Sequence, residues 1–227
     1  MKPQVMQYRP DKYRFALPNQ VWSWKLKPPT FAVLAYLCWL RSHGDNSGVP
    51  DPGSLAVRLH MSPAMAAACL GALLRRGLVA QDLTPTIPRA GGRAGCFFTL
   101  PHEIFCLDLG HGAIAVYAYL LCCEDRRTHQ CHPSYNTISG ATGLAVNTVM
   151  KHVVKLAERK FITVERTSYI DDKGMKWNGN NCYTILPIRA AVDAFHRKQL
   201  EKLEETVEQQ QITGFLTAAD KAPCERL

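Results

Sequence analysis

The sequence lacks an apolar run of about 18 residues, so no membrane-spanning helix is expected. Its first stretch, MKPQVMQYRPDKYRF, lacks the apolar centre of a signal peptide, and a cytoplasmic location is expected. Acidic residues are scarce early: residues 1–94 hold 4 Asp/Glu against 12 Lys/Arg. Residues 95–186 hold 8 against 9, and residues 187–227 hold 7 against 6, so the formal charge of +8 resides in the first segment. A basic segment of that kind suits a polyanion, most simply nucleic acid. There is no Walker loop, no Rossmann glycine pattern, no H-E-x-x-H and no nucleophile elbow, so neither enzyme activity nor a cofactor is expected. Nine cysteines, an odd number, lie mostly within apolar runs and read as small buried hydrophobes. The segment CCEDRRTHQCH (122–132) has donors of the type zinc takes, but their spacing fits no standard knuckle. Cys122 and Cys123 there continue an apolar helix, and no metal site is assigned.

The most informative stretch runs from Pro133 to Ile162, PSYNTISGATGLAVNTVMKHVVKLAERKFI. It predicts a short helix capped by Ser134 and ended by Gly140 or Gly143, then a longer helix from about Val146 to Arg159. On a helical wheel Val146, Val149, Met150, Val153, Leu156 and Ala157 share one arc. Asn147, Thr148, Lys151, His152 and Lys155 share the other. A donor-bearing helix held out by a short packed helix is the layout of a helix-turn-helix, whose second helix enters the DNA major groove.

The chain also repeats without gaps at an offset of 83 residues. Phe15, Leu17 and Pro18 match Phe98, Leu100 and Pro101, and Ala32-Val33-x-Ala35-Tyr36-Leu37 matches Ala115-Val116-x-Ala118-Tyr119-Leu120. Leu26, Pro50, Leu73 and Arg76 match Leu109, Pro133, Leu156 and Arg159. One shared register over this length predicts tandem domains of one fold. Each copy reads as a lead-in strand (Tyr13–Pro18; Cys96–Pro101), a mostly apolar helix (about Pro29–Ser42; about Gly112–Asp125), two further helices and a β-hairpin. In copy two the hairpin strands are expected at Phe161–Tyr169 and Cys182–Leu186, with Lys173, Lys176, Trp177 and Asn178 at the tip. Three helices and a hairpin make a winged helix.

Residues 95–190 resemble the winged helix-turn-helix proteins of Firmicutes mobile elements, through the proline-serine-aromatic start Pro133-Ser134-Tyr135 and the run Asn147-Thr148-Val149. The resemblance implies a DNA-binding domain that reads bases with Asn147, Thr148, Lys151 and His152. The tandem layout is also similar to plasmid replication initiators with two winged helices. Where that family often opens the third helix with Ser-Arg or Ser-Lys, this chain has Ala145-Val146.

The copies are not equivalent. In copy one the positions matching the reading arc are Ala64, Met65, Ala68, Cys69 and Ala72, none of which donates bidentately to a base edge. Ala64, Met65, Ala68 and Ala72 are therefore expected at a protein interface, with copy two or with a second subunit. The cations of copy one (Lys2, Arg9, Lys12, Arg14, Lys25, Lys27, Arg75, Arg76, and Arg89 and Arg93 of the wing PRAGGR) are expected to grip phosphates. Beyond Pro187, Val192, Phe195, Leu203 and Val207 mark an amphipathic helix to about Gln211, followed by a tail.

The expectation is a mainly α fold with small β-wings. Residues 1–94 form a basic winged-helix domain with a degenerate third helix, 95–186 the DNA-reading winged helix-turn-helix domain, and 187–227 an amphipathic helix and tail. Double-stranded DNA is the expected partner and a homodimer the expected assembly. Asn147 would read adenine, Lys151 guanine or phosphate, and Thr148 and His152 neighbouring bases or backbone. Ser134, Tyr135 and Asn136 would hold phosphates. Transcriptional regulation of a bacterial mobile element, replication initiation at origin repeats, and a protein-interaction module are the functions in view. Operator, effector and oligomeric state are not legible in the residues.

Overall fold

The computed structural model describes residues 14–43, 50–87, 96–170 and 172–219; for 169–170, 176–178 and 208–219 it describes the backbone alone. Copy one runs through β1 (Arg14–Pro18), a 3-10 turn (Asn19–Trp24), α1 (Pro28–His43), α2 (Pro52–Arg58) and α3 (Pro63–Arg75). Copy two runs through β2 (Phe97–Pro101), a 3-10 turn (His102–Phe105), α4 (His111–Cys123), β3 (Gln130–Cys131), α5 (Tyr135–Thr142) and α6 (Val146–Glu158). Strands β4 (Ile162–Glu165), β5 (Ser168–Ile170), β6 (Lys176–Asn178) and β7 (Cys182–Ile185) complete its wing, and α7 (Ile188–Ala219) follows. The fold is mainly helical with small antiparallel sheets: two tandem winged helix-turn-helix domains and a C-terminal helix.

The repeat is kept by the backbone. β1, α1, α2 and α3 begin at 14, 28, 52 and 63, and β2, α4, α5 and α6 begin at 97, 111, 135 and 146, the same offset of 83 each time. The left-handed backbone positions recur in the same register: Lys25 with Asp108, His60 with Gly143, and Gly77 with Lys160. Two brackets recur as well. Arg76 Nη1 donates to the Trp24 carbonyl at 2.6 Å, and Arg159 Nη1 to the Leu107 carbonyl at 2.8 Å. Both α2 and α5 carry a side-chain cap, Asp51 accepting from the Ser54 N–H at 2.9 Å and Ser134 from the Thr137 N–H at 3.0 Å.

The two copies join about an internal two-fold. β1 pairs antiparallel with β2, Phe15 opposite Leu100 and Leu17 opposite Phe98, and all four side chains are buried. α1 packs on α4. Trp22 of copy one stacks on Phe98 at 5.9 Å and meets Tyr119 edge-on at 5.1 Å. Phe105, its repeat partner in copy two, stacks on Phe15 at 5.9 Å and meets Tyr36 edge-on at 5.2 Å. Residues that exchange identical contacts across an axis form an isologous interface, the kind made by two-fold dimers. Here one chain supplies both halves. Aromatic pairs in these geometries add to the area they bury.

α4 is buried on nearly every side, from Ala113 through Ala118 and again at Leu120 and Leu121, as a helix apolar all round must be. It carries α6 and α5 on one side and α1 on the other. The copy-two sheet has the order β3–β7–β4, with Cys131 opposite Tyr183 and Val164 opposite Tyr183 across β7. β5 and β6 form a separate distal hairpin. In copy one the hairpin is tight: Thr86 N–H donates to the Leu78 carbonyl at 3.0 Å, Ala80 N–H to the Thr84 carbonyl at 2.9 Å, and Arg41 Nη1 braces the Pro85 and Ile87 carbonyls. The wing residues Arg89 and Arg93, and the arm cations Lys2, Arg9 and Lys12, lie outside the described residues.

α7 anchors through Ile188 and Ala191, both buried, and through Val192 and Phe195. It extends past the expected end near Gln211 to Ala219, and Leu200, Leu203 and Val207 are exposed along it. Among the described residues no single helix is long and apolar enough to cross a membrane.

Candidate nucleic-acid interface

α5 is short because Gly143 ends it. That residue takes φ 70°, and its N–H returns to the Ser139 carbonyl at 2.9 Å, the left-handed cap that glycine adopts without a Cβ penalty. Ser139 Oγ then donates to the Leu144 carbonyl at 2.6 Å and fixes the turn into α6. Val149, Val153 and Leu156 bury the inner face of α6, while Ile138 and Thr142 bury the inner face of α5. The turn and these five side chains set the angle at which α6 stands out from the domain.

The outward stripe of α6 is Asn147, Met150, Lys151, Val154 and Glu158, all exposed. It overlaps the expected arc but is rotated from it. Asn147 and Lys151 are in place. Met150, expected in the core, is 43% exposed beside Val154 at 55%. Thr148, His152 and Lys155 lie half-buried along one flank. Lys155 is turned away from any reading position, because Nζ donates to the Leu109 carbonyl at 2.6 Å. Burial, with the Arg159 guanidinium next in effect, lowers its pKa. His152 packs onto the Gly112 backbone, where any Cβ would collide with the ring. Burial and then the Lys155 charge lower the pKa of its imidazole. Both side chains brace α6 on the start of α4, so His152, expected on neighbouring bases or backbone, and Lys155, expected among the DNA-binding residues, have internal contacts in this structure.

At the start of α5, Ser134 is occupied as the helix cap, Asn136 is exposed, and the Tyr135 hydroxyl accepts from Asn181 Nδ2 at 2.8 Å. That last bond ties α5 to the loop that leads into β7. α6 itself has no side-chain cap, since its N-cap is Ala145, so its first-turn N–H groups have no side-chain partner there. In the wing, Lys173 is exposed in the turn between β5 and β6, and Lys176 stands on β6.

Copy one keeps the scaffold and lacks the Asn147 and Lys151 donors of the α6 stripe. The outward stripe of α3 is Ala64, Ala67, Ala68, Gly71 and Arg75. Cys69 is buried, accepting from the Thr30 hydroxyl at 3.5 Å. Ala64, Met65 and Ala68 are exposed and Ala72 half-exposed, so copy two does not cover this face; that half of the interface expectation is corrected, since the copies join through β1, β2, α1 and α4 instead. Several cations expected on phosphates have internal partners. Arg14 donates to Thr99, Lys25 Nζ to the Gly140 carbonyl at 2.7 Å, and Arg76 to Trp24. Lys25 thus tethers copy one to the end of α5, as His111 Nε2–H tethers copy two to the Leu59 carbonyl at 2.6 Å. Lys27 and Arg75 are exposed.

In the 122–132 segment, His129 Nδ1 lies 2.7 Å from Glu124 Oε1 and Cys131 is buried in β3. Among the described residues no three His, Cys, Asp or Glu side chains are grouped as a metal site requires. Groups missed by sequence reasoning are Val154, Asn181 and the Gly112–His152 contact. Gly112 at the head of an apolar helix was the one legible sign of a close approach.

Residues 107–162 match a family model described as a helix-turn-helix domain. That span runs from the loop before α4 into β4. No curated protein matches the chain. Among solved structures, the chain is similar to a possible transcriptional regulator from Methanosarcina mazei Go1, with 22% identity over 52% of this chain and 94% of that one, at a TM-score of 0.32. It is also similar to the Pi initiator protein in complex with iteron DNA, with 11% identity over 77% of this chain and 98% of that one, at a TM-score of 0.46.

Proposed function

We propose that the chain binds double-stranded DNA in a sequence-specific manner and regulates transcription, through α6 of copy two. The observation that carries this reading is the pair Asn147 and Lys151, one turn apart and exposed, on a helix held out by a capped short helix and matched as a helix-turn-helix. Asn147 suits the N6/N7 edge of adenine, and Lys151 suits guanine O6/N7 or a phosphate. Asn136, Tyr135 and the uncapped first turn of α6 suit the flanking phosphates. Lys173 and Lys176 on the wing suit the adjacent backbone, and Arg89 and Arg93 are proposed for the same role in copy one. A bacterial mobile element as the source and the cytoplasm as the location belong to the same proposal, as does the absence of enzyme activity.

The inequality of the copies favours a second reading, replication initiation at origin repeats. A chain with one reading head and one blank head fits a single non-palindromic half-site, and many such sites in tandem would be direct repeats. A homodimer, if it forms, must use a surface other than the occupied β1–β2 and α1–α4 junction. The exposed Ala64, Met65 and Ala68 with Ala72, and the Leu200–Val207 side of α7, are candidate faces among the described residues. Selection of bound fragments from random duplexes separates the readings. Direct repeats support initiation, palindromes support a dimeric regulator, and no enrichment at low salt contradicts DNA reading altogether.

A further inference from the structure

The outward stripe of α6 contains two side chains that neither stability nor solubility explains. Met150 is 43% exposed and Val154 is 55% exposed, and both share the outward face of α6 with the exposed donors Asn147 and Lys151. Val is β-branched, loses side-chain freedom in a helix, and gains no burial here. The equivalent positions of copy one, 83 residues earlier, are Ala67 and Gly71. The apolar pair is thus confined to the copy that carries the donors.

We propose that Met150 and Val154 form an apolar ridge that reads the C5-methyl groups of thymine beside the bases contacted by Asn147 and Lys151. This rests on the DNA-reading role proposed above for α6. Residues four apart lie on one face, about 6 Å along the helix axis, close to two base steps of about 3.4 Å. In the major groove the thymine methyl is the one apolar group a base edge offers, and apolar side chains recognise it. The ridge therefore selects A·T pairs on the side of the site flanking the Asn147 and Lys151 contacts. Glu158, on the same stripe one turn beyond Val154, would disfavour close approach of a phosphate at that end.

The test uses the full chain and the best duplex recovered from random-sequence selection. Each thymine is replaced in turn by deoxyuridine, which removes the methyl and leaves every hydrogen-bonding group. The wild-type chain should lose about fourfold in affinity at each of two thymines near the centre of the site, the loss of one buried methyl. The double variant Met150→Ala, Val154→Ala should bind the thymine duplex more weakly and be indifferent to deoxyuridine. Alanine is the best helix former, and both side chains are exposed, so the variant keeps the fold; an unchanged melting temperature verifies this. Uracil sensitivity that persists in the double variant assigns the methyl contact to another group and overturns the proposal. Indifference of the wild type to uracil, with its preference for the selected site intact, leaves the DNA reading standing and also overturns the proposal, giving the ridge to a protein partner. No preference for any duplex removes both.

Discussion

The third helix of copy one turns Ala64, Ala67, Ala68 and Arg75 to solvent, with Gly71 half-buried on the same stripe; the third helix of copy two turns Asn147, Met150, Lys151, Val154 and Glu158. Both helices start at the same place in their repeat, are carried by equivalent partners and end with the same Arg-to-carbonyl bracket. The inner faces correspond as well, Ala66, Leu70 and Leu73 against Val149, Val153 and Leu156. Packing has therefore been held constant while the outward face diverged. The difference teaches that the two copies share one isologous junction within a single chain, and that only copy two carries donors at the Asn147 and Lys151 positions of its third helix, where copy one has Ala64 and Ala68, which is where the proposal places base reading.

The junction is where the largest effect is expected. Phe105→Ala should destabilise the chain by about 3–5 kcal/mol, since its ring packs on Phe15, Tyr36 and Trp39. Trp22→Ala, the symmetric change, should cost a similar amount in the same single calorimetric transition. Two separate transitions, or a cost near zero, would mean that the copies fold independently and that the shared core is incidental.

The caps differ between copies and offer a sharper comparison. Ser62 caps α3 by accepting from the Met65 N–H at 3.2 Å, whereas Ala145 gives α6 no side-chain cap. Ser62→Ala should lose about 1 kcal/mol and Ala145→Ser should gain about 1 kcal/mol in denaturant melts. No gain at Ala145 would show that the first turn of α6 is already satisfied by another group.

Lysines on one helix can be set against each other next. Lys155→Met should lower stability by about 1 kcal/mol by releasing the Leu109 carbonyl. It should leave the salt dependence of duplex binding unchanged. A slope reduced by about 0.9 in log K against log salt would place the Lys155 ammonium on a phosphate instead.

The smallest expected effect is a pH dependence. Burial and the Lys155 charge hold the folded His152 below its ordinary range, so the unfolded chain binds more protons as pH falls. The contribution is fully present above the unfolded value of about 6.5 and is lost as pH falls through it toward the lower folded value. His152→Gln should flatten the stability–pH curve in that window relative to wild type. Equal slopes in both chains would show that the ring titrates freely.

Much of this was legible in the residues. The offset of 83 and the pattern of apolar positions placed three helices per copy, and Ser134 and the choice of Gly140 or Gly143 bounded α5. What the pattern could not show is which flank of α6 faces its neighbour. A wheel divides polar from apolar, and so it sent Met150 inward and Lys155 outward. The structure does the reverse, because a long ammonium can reach back to the Leu109 carbonyl and a histidine can lie on a bare glycine. The junction was hidden for a related reason. Phe15 and Tyr36 read as repeat positions of two tandem domains, and it is the antiparallel pairing of β1 with β2 that joins the two cores into one. Strand β3 spans two residues, too short for any alternation to register. The spacing of Leu203 and Val207 carried α7 only to about Gln211, short of its end at Ala219, because the turn after Val207 supplies only Gln at that spacing.

The most direct measurement is the affinity ratio between the selected site and a random duplex, at one fixed salt concentration, for the variant Asn147→Ala, Lys151→Ala. The account predicts that the ratio falls at least about tenfold, the loss of one good base contact, while a paired change on the blank face, Ala64→Ser with Ala68→Ser, leaves it where it was. An undiminished ratio in the copy-two variant, or a collapse in the copy-one variant, would contradict the assignment of base reading to copy two.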